Sequence, residues 1–236
     1  MLIANKSSFM VGSILAVTFW GALTLIFSPI FGGKNGFEYS DDLFNKLAKG
    51  SSYFIPQIVK DSQKFNGNNI SVTAKVDKPE NAQRAQHIFN LAGAKVETNG
   101  SELKLSGDLG VILAAALKDS DAMYHNRGNE VATRYGMDEK DAMALWWSVL
   151  NKSVKELQKA GKIEEANGVF EAMQKAIEPA YNFYRIDAES VTSKAGTLTG
   201  LLSFYIVYTM WWGFAIYSLF DGLGLSMKKA RVKKEV

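Results

Sequence analysis

Two histidines occur in the 236-residue chain, and one of them, His125, follows Asp121 by four positions in DSDAMYHNRGNE. On a helix, residues four apart share a face, so this imidazole and carboxylate can meet at one ion or one proton. With Glu130 beyond a helix break at Gly128, the set could hold a divalent metal or act as an acid-base pair. The same side chains also suit a plainer task, capping a helix end and pairing with Arg127 and Arg134. The plainer task is the expectation, because this spacing is common by chance; His125 and Asp121 remain the metal candidates. His87, in QRAQHIFNLAG, lies among polar residues of an amphipathic helix and is expected at the surface.

Other chemistry is thinly supplied. The chain has no cysteine, which removes C-x-x-C-H haem attachment, iron-sulfur clusters, thiolate zinc sites and disulfides. It also lacks G-x-S-x-G, H-E-x-x-H and a phosphate-binding glycine loop followed by Lys-Ser or Lys-Thr. The carboxylate pairs Asp41-Asp42 and Glu164-Glu165 fall at helix starts, where the helix dipole accounts for them. Neither histidine lies in an apolar run, so bis-histidine ligation of a haem within a membrane is excluded. No catalysis and no cofactor are expected.

The elements that would position any site are dominated by two uncharged runs. Leu198 to Phe220, LTGLLSFYIVYTMWWGFAIYSLF, belongs to a stretch without charge from Ala195 onward, and Ser7 to Gly33 forms a second. About 20 such residues cross a bilayer as a helix, which predicts membrane spans at 9–31 and 198–220. The first run competes with a cleaved signal peptide, but its apolar core is long and no A-x-A-like site follows, so a retained helix is expected. Lys6 precedes the first span, and Lys228, Lys229, Arg231, Lys233 and Lys234 follow the second. Positive flanks face the cytoplasm. Residues 1–8 and 221–236 are therefore expected there, with 34–195 on the far side, the periplasm if the membrane is a bacterial inner membrane. The formal net charge of +3 resides in that tail, so basicity is a topology signal and no nucleic-acid partner is expected.

The second span carries Tyr205, Tyr208, Trp211, Trp212, Phe214 and Tyr217, more aromatic surface than interfacial belts require. Trp211 and Trp212 lie near its middle, where large rigid rings suit packing on other helices, lipid or a quinone-like molecule. In the first span Gly12-x-x-x-Ala16 permits close backbone approach. Neither span has an ionisable residue in its core, so neither offers an ion path.

Between the spans the pattern is mainly α with a small α+β part. Ser40 is the predicted cap of a helix with Asp41 and Asp42 in its first turn and Leu43, Phe44 and Leu47 on one side, ending at Gly50. A short helix from Pro56 offers Ile55, Ile58, Val59 and Phe65 for burial. Ile70, Val72, Ala74 and Val76 alternate with polar residues as a strand does. Asp77 is the predicted cap of a helix with Ala82, Ala85, Phe89 and Ala92 inward, stopped by Gly93. Asn99-Gly100 is the predicted centre of a hairpin turn, which completes a β-α-β-β unit. Asp108 is the predicted cap of a long helix interrupted at Gly128, and Asp138 of another with Ala142, Leu145, Trp146, Val149, Val154 and Leu157 inward until Gly161. Ile163 to Ile177 is the last predicted helix of the bundle. Ala180 to Lys194 has neither proline nor glycine, which predicts a nearly continuous run into the second span.

Lys159 to Pro179, KAGKIEEANGVFEAMQKAIEP, resembles the inner half of a tetratricopeptide repeat at Gly161, Ala166, Phe170 and the closing proline. The Trp-Leu-Gly opening does not align and no second copy stands at a spacing of about 34 residues. The stretch is expected to be an ordinary helical hairpin.

These readings converge on a non-catalytic accessory or scaffold subunit of a larger membrane assembly, meeting other integral subunits, lipid or a second copy of itself through Tyr205, Tyr208, Trp211, Trp212, Phe214, Tyr217, Gly12 and Ala16. An extracytoplasmic small-molecule sensor acting through a separate membrane partner is the alternative, and a polysaccharide or secretion assembly factor is a third, weaker one.

Overall fold

The computed structural model describes residues 3–225; the basic tail, on which the predicted side of the C-terminus rests, lies outside the described residues. Two compact units are present. One takes the two ends of the chain, up to Phe44 and from Ser190 onward, and the other is Asn45–Glu189.

The first unit is a pair of helices long and apolar enough to cross a membrane, α1 (Lys6–Phe27) and α10 (Ala195–Gly222). Only 11% and 6% of their most apolar windows are buried, unlike the core helix of a water-soluble fold, which is mostly buried. Asn5 caps α1 by accepting from the Ser8 N–H at 3.2 Å. The N–H groups of Ala4 and Asn5 donate to the Gly222 carbonyl, and the Asn5 amide donates to the Asp221 carboxylate at 3.2 Å. The start of α1 therefore lies beside the end of α10, and the two helices run antiparallel. A Cβ on Gly12 would lie 2.6 Å from the Leu219 nitrogen, so only glycine permits this approach.

Helix α2 (Gly36–Ser51) contains the point in the chain at which the two units divide. Its start is set five residues before the predicted one: the Asn35 carboxamide accepts from the N–H groups of Phe37 and Glu38, and Glu38 accepts from the Asn35 N–H at 2.9 Å. This reciprocal capping box outcompetes Ser40, whose hydroxyl instead donates to the Gly36 carbonyl. Leu43 and Leu47 are buried as predicted, whereas Phe44 is exposed.

The second unit opens with α3 (Ile55–Ser62), which buries Ile55 and Ile58 but leaves Val59 outside. Strands β1 (Asn69–Lys75), β2 (Lys95–Asn99) and β3 (Glu102–Asp108) form an antiparallel sheet in the order β1-β3-β2. Helix α4 (Pro79–Leu91) crosses from β1 to β2 and presses Ala82, Ala85, Ile88 and Phe89 into the core. Its N-cap position is Lys78, with no side-chain cap, so Asp77 does not play the predicted part; Pro79 supplies the first-turn geometry instead. The hairpin differs by one residue from its prediction. Asn99 pairs with Glu102, so Gly100 and Ser101 are the central residues, and only Gly100 has positive φ (+60°), the pattern of a type II′ turn.

Asp108 caps α5 (Leu109–Tyr124) by accepting from Gly110 and Val111, and Asp138 caps α7 (Glu139–Lys159) by accepting from Lys140 and Asp141, both as predicted. Between them lies α6 (Gly128–Tyr135), and after Gly161 come α8 (Ile163–Ala172), a π-helical turn Met173–Ile177 and α9 (Glu178–Asn182). The predicted run into α10 is broken at Arg185, whose φ is +64°. Its N–H is taken by Asn126 at 2.8 Å and the Ile186 carbonyl by Lys49 and Asn126. Those backbone groups are therefore not available to continue a helix.

The core is held to one arrangement by a buried carboxylate. Asp119 has no exposure and accepts from the Arg134 guanidinium, from the Tyr135 hydroxyl at 2.5 Å and from the Trp146 indole at 2.9 Å. Asp119→Ala strips three donors of their acceptor at once and is expected to destabilise the domain by about 3 kcal/mol, measured by chemical denaturation while following the near-ultraviolet signal of the tryptophans.

Candidate functional site

The chain enters the second unit at Asn45 and leaves it at Glu189, and one buried ammonium fastens the two stretches together. Lys49, on α2, is 2% exposed. Its Nζ donates to the Asn126 carboxamide at 3.0 Å and to the Ile186 carbonyl at 2.5 Å, and it lies 5.1 Å from the centre of the Tyr124 ring. The Tyr124 hydroxyl donates to the Lys49 carbonyl. Alongside, the Glu189 N–H donates to the Lys46 carbonyl at 3.1 Å, and a Cβ on Gly50 would fall 2.0 Å from the Glu189 oxygen. Burial holds the Lys49 ammonium below its ordinary pKa of 10.5, with Asp187 pulling the other way through space.

Asn126 makes the junction possible. It follows the end of α5 in the left-handed region (φ +59°), a conformation asparagine tolerates better than most residues. Its amide oxygen accepts from Lys49 and Arg185 while its amide nitrogen donates to Ile186 at 3.1 Å.

His125 and Asp121 sit on the outer side of this corner. The His125 Nδ1 is 2.9 Å from the Asp121 carbonyl and 3.4 Å from its carboxylate, so the predicted pair is brought together. The carboxylate is already engaged, accepting from the Tyr53 hydroxyl at 2.7 Å and from Arg127 at 3.2 Å. Glu130 pairs with Arg127 at 3.3 Å, while Arg134 goes to Asp119. Among the described residues no three His, Asp or Glu side chains are grouped to hold a metal. The Tyr53 ring stands edge-on to His125 with centres 5.1 Å apart. The arrangement ties the α5 end to the segment after α2, with both Asp121 carboxylate oxygens engaged. His87 is exposed on α4, as predicted.

The structure divides the membrane-helix candidates into two sets. Gly12 faces α10. Phe19 stacks on Tyr208 at 4.2 Å and lies 4.5 Å from Trp212, while the Trp211 indole donates to the Leu15 carbonyl at 3.1 Å. Ala16 is half-buried. These residues seal α1 against α10. Tyr205, Phe214 and Tyr217 point away from the pair, with 66%, 56% and 57% exposure. Sequence reasoning missed Phe19 as the ring that receives Tyr208, and it missed the Lys49 junction altogether. The only hint of the latter was the Asn-Arg-Gly break after α5.

Tyr53 gives the junction a pH signature. Burial, with the bond to Asp121, pushes its hydroxyl up to about 12 from 10.0. A raised folded-state pKa gives stability that is full below pH 10 and is lost as pH rises through about 12. Lys49 acts with the opposite sign but is common to both proteins in a comparison. Tyr53→Phe is therefore expected to unfold with a shallower decline of stability between about pH 10 and 12 than the parent, checked by thermal melts across that range.

No protein-family model, no curated protein and no solved structure matches the chain.

Proposed function

We propose that this chain is a non-catalytic accessory or scaffold subunit of a larger bacterial inner-membrane complex. Both termini lie in the cytoplasm in this reading, 34–195 lies in the periplasm, and the partners are other integral membrane subunits. The observation that carries it is a pair of tyrosine hydroxyls on one stretch of α10. Tyr208 has its hydroxyl buried with no hydrogen-bond partner. Tyr205, three residues earlier, is 66% exposed, and among the described residues no hydrogen bond to its hydroxyl is present.

At 1.5 Å per residue Tyr205 lies roughly 10 Å from Leu198 and roughly 22 Å from Phe220, well inside the apolar run. In hydrocarbon a phenol without a partner is costly, and lipid tails supply none. A neighbouring membrane protein with a polar group at that depth would satisfy it. The α1–α10 seam already consumes Gly12, Trp211 and Trp212, so the contact surface left for a partner is the outward face of Tyr205, Phe214 and Tyr217.

Purified in a mild maltoside detergent, the protein is expected to migrate with a native mass well above its 26.0 kDa and with a stoichiometric partner. Tyr205→Phe keeps the ring and removes the hydroxyl, and is expected to weaken the association by about tenfold, the worth of one interhelical hydrogen bond of 1–2 kcal/mol. A parent protein that is a monodisperse monomer would overturn the proposal.

A further inference from the structure

Helix α7, the π-helical turn and α9 border a cleft of about 350 Å³. Met143 and Ile177 lie fully buried beneath it, and the surface open to solvent is made by Ala144, Trp147, Glu178 and Tyr181. A volume of this order suits a small molecule.

Three features of the wall point to one kind of ligand. The Trp147 indole N–H donates to the Glu178 carboxylate at 2.8 Å, which fixes the ring while leaving its faces clear. Trp147 is 39% exposed, and among the described residues no other ring or cation stacks on it. Glu178 is the one charged side chain on the lining, and among the described residues no cation is paired with it. Tyr181 already shows its affinity for an ammonium: the Lys140 Nζ lies 4.6 Å from its ring centre.

The backbone explains how these groups come together. Met173–Ile177 is a π-helical turn, and such a turn carries an additional residue, which rotates the side chains after it relative to those before. Glu178 and Tyr181, three apart beyond the turn, then share a side and stand over Trp147. Turns of this kind weaken a helix and recur at ligand sites.

We infer that this cleft binds a small organic cation, an alkylated ammonium whose apolar body rests on Ala144 and the Trp147 ring while its charge lies against that ring and the Glu178 carboxylate. Aromatic faces attract such cations through their quadrupole, and a quaternary ammonium gives up little hydration on entering. An apolar molecule without charge would leave the unpaired carboxylate uncompensated at the rim. The site lies wholly within the second unit and stands whether or not the membrane helices meet a partner.

The test uses the full-length protein in a maltoside detergent, titrated calorimetrically with choline and with its uncharged carbon isostere, 3,3-dimethylbutan-1-ol. Choline is expected to bind saturably, one per chain, and at least tenfold more tightly than the isostere. Trp147→Leu and Glu178→Gln are each expected to weaken choline by at least tenfold. Trp147→Leu touches a packed helix, so the near-isosteric Glu178→Gln, with an unchanged melting temperature, decides the matter if the first variant fails to fold. No saturable binding of choline, equal affinity for the isostere, or full affinity in a folded Glu178→Gln protein would each overturn the inference.

Discussion

The Lys49 ammonium is the constraint on which the second unit depends. A buried cation costs several kcal/mol unless it is compensated, and Lys49 gives two N–H groups to a side-chain amide and a backbone carbonyl rather than a carboxylate, beside the Tyr124 ring. Both partners are far away in sequence, so the charge is satisfied only when the entering helix, the end of α5 and the exit segment are all in place. The price of burying it thus becomes a demand for one arrangement. Gly50 against Glu189 and Lys46 against the same residue close the junction from either side. The two stretches of chain that lead out of the domain are fastened to each other as well as to its body.

The membrane pair is organised differently, since apolar surface gains little by leaving lipid for another helix. What joins α1 to α10 is close approach and ring geometry. Gly12 admits Leu219, Phe19 receives both Tyr208 and Trp212, and Trp211 spends its indole N–H on a backbone carbonyl. The same carbonyl also accepts from the Thr18 hydroxyl at 3.1 Å, so the tryptophan shares an acceptor that α1 already uses. The cost is Tyr208, whose ring is needed for the stack but whose hydroxyl finds no acceptor there. Polar groups are therefore met in the seam at the indole and left unmet at the phenol.

Much of the fold was legible because it is written locally. The Ile70–Val76 alternation, the caps Asp108 and Asp138, and the inward faces of α4 and α7 are short-range patterns, and each sits where the pattern puts it. The errors arose where two local signals competed or where a distant group intervened. Asn35 with Glu38 beat Ser40 because a reciprocal pair satisfies more backbone donors than a single hydroxyl. The turn moved from Asn99-Gly100 to Gly100-Ser101 because the five residues of β2 pair with β3 in a register that sets Asn99 opposite Glu102, and one favourable dipeptide cannot outweigh that. The helix expected through Ala180–Lys194 had no breaker in its own sequence. It was broken by Asn126, 59 residues from Arg185, and no reading of a local window contains that contact. His125 and Asp121 were found as a pair but not as part of a junction, because Tyr53 reaches them only in three dimensions.

The carboxylates of the second unit are used in two different ways. At the α5 end the carboxylate of Asp121 is surrounded by a phenol, a guanidinium and an imidazole, and at the core Asp119 is surrounded by three donors. A carboxylate saturated in this way orders structure and has nothing left for a ligand. Glu178 is held by a single indole N–H beside an open cleft, and it follows directly on a π-helical turn that an ordinary α-helix would not need for packing. The contrast separates groups that specify the fold from one that the fold presents outward. It also explains why neither histidine marks the site: the charge and the rings that face open space came from glutamate, tyrosine and tryptophan, residue types too common on helices to stand out in a sequence.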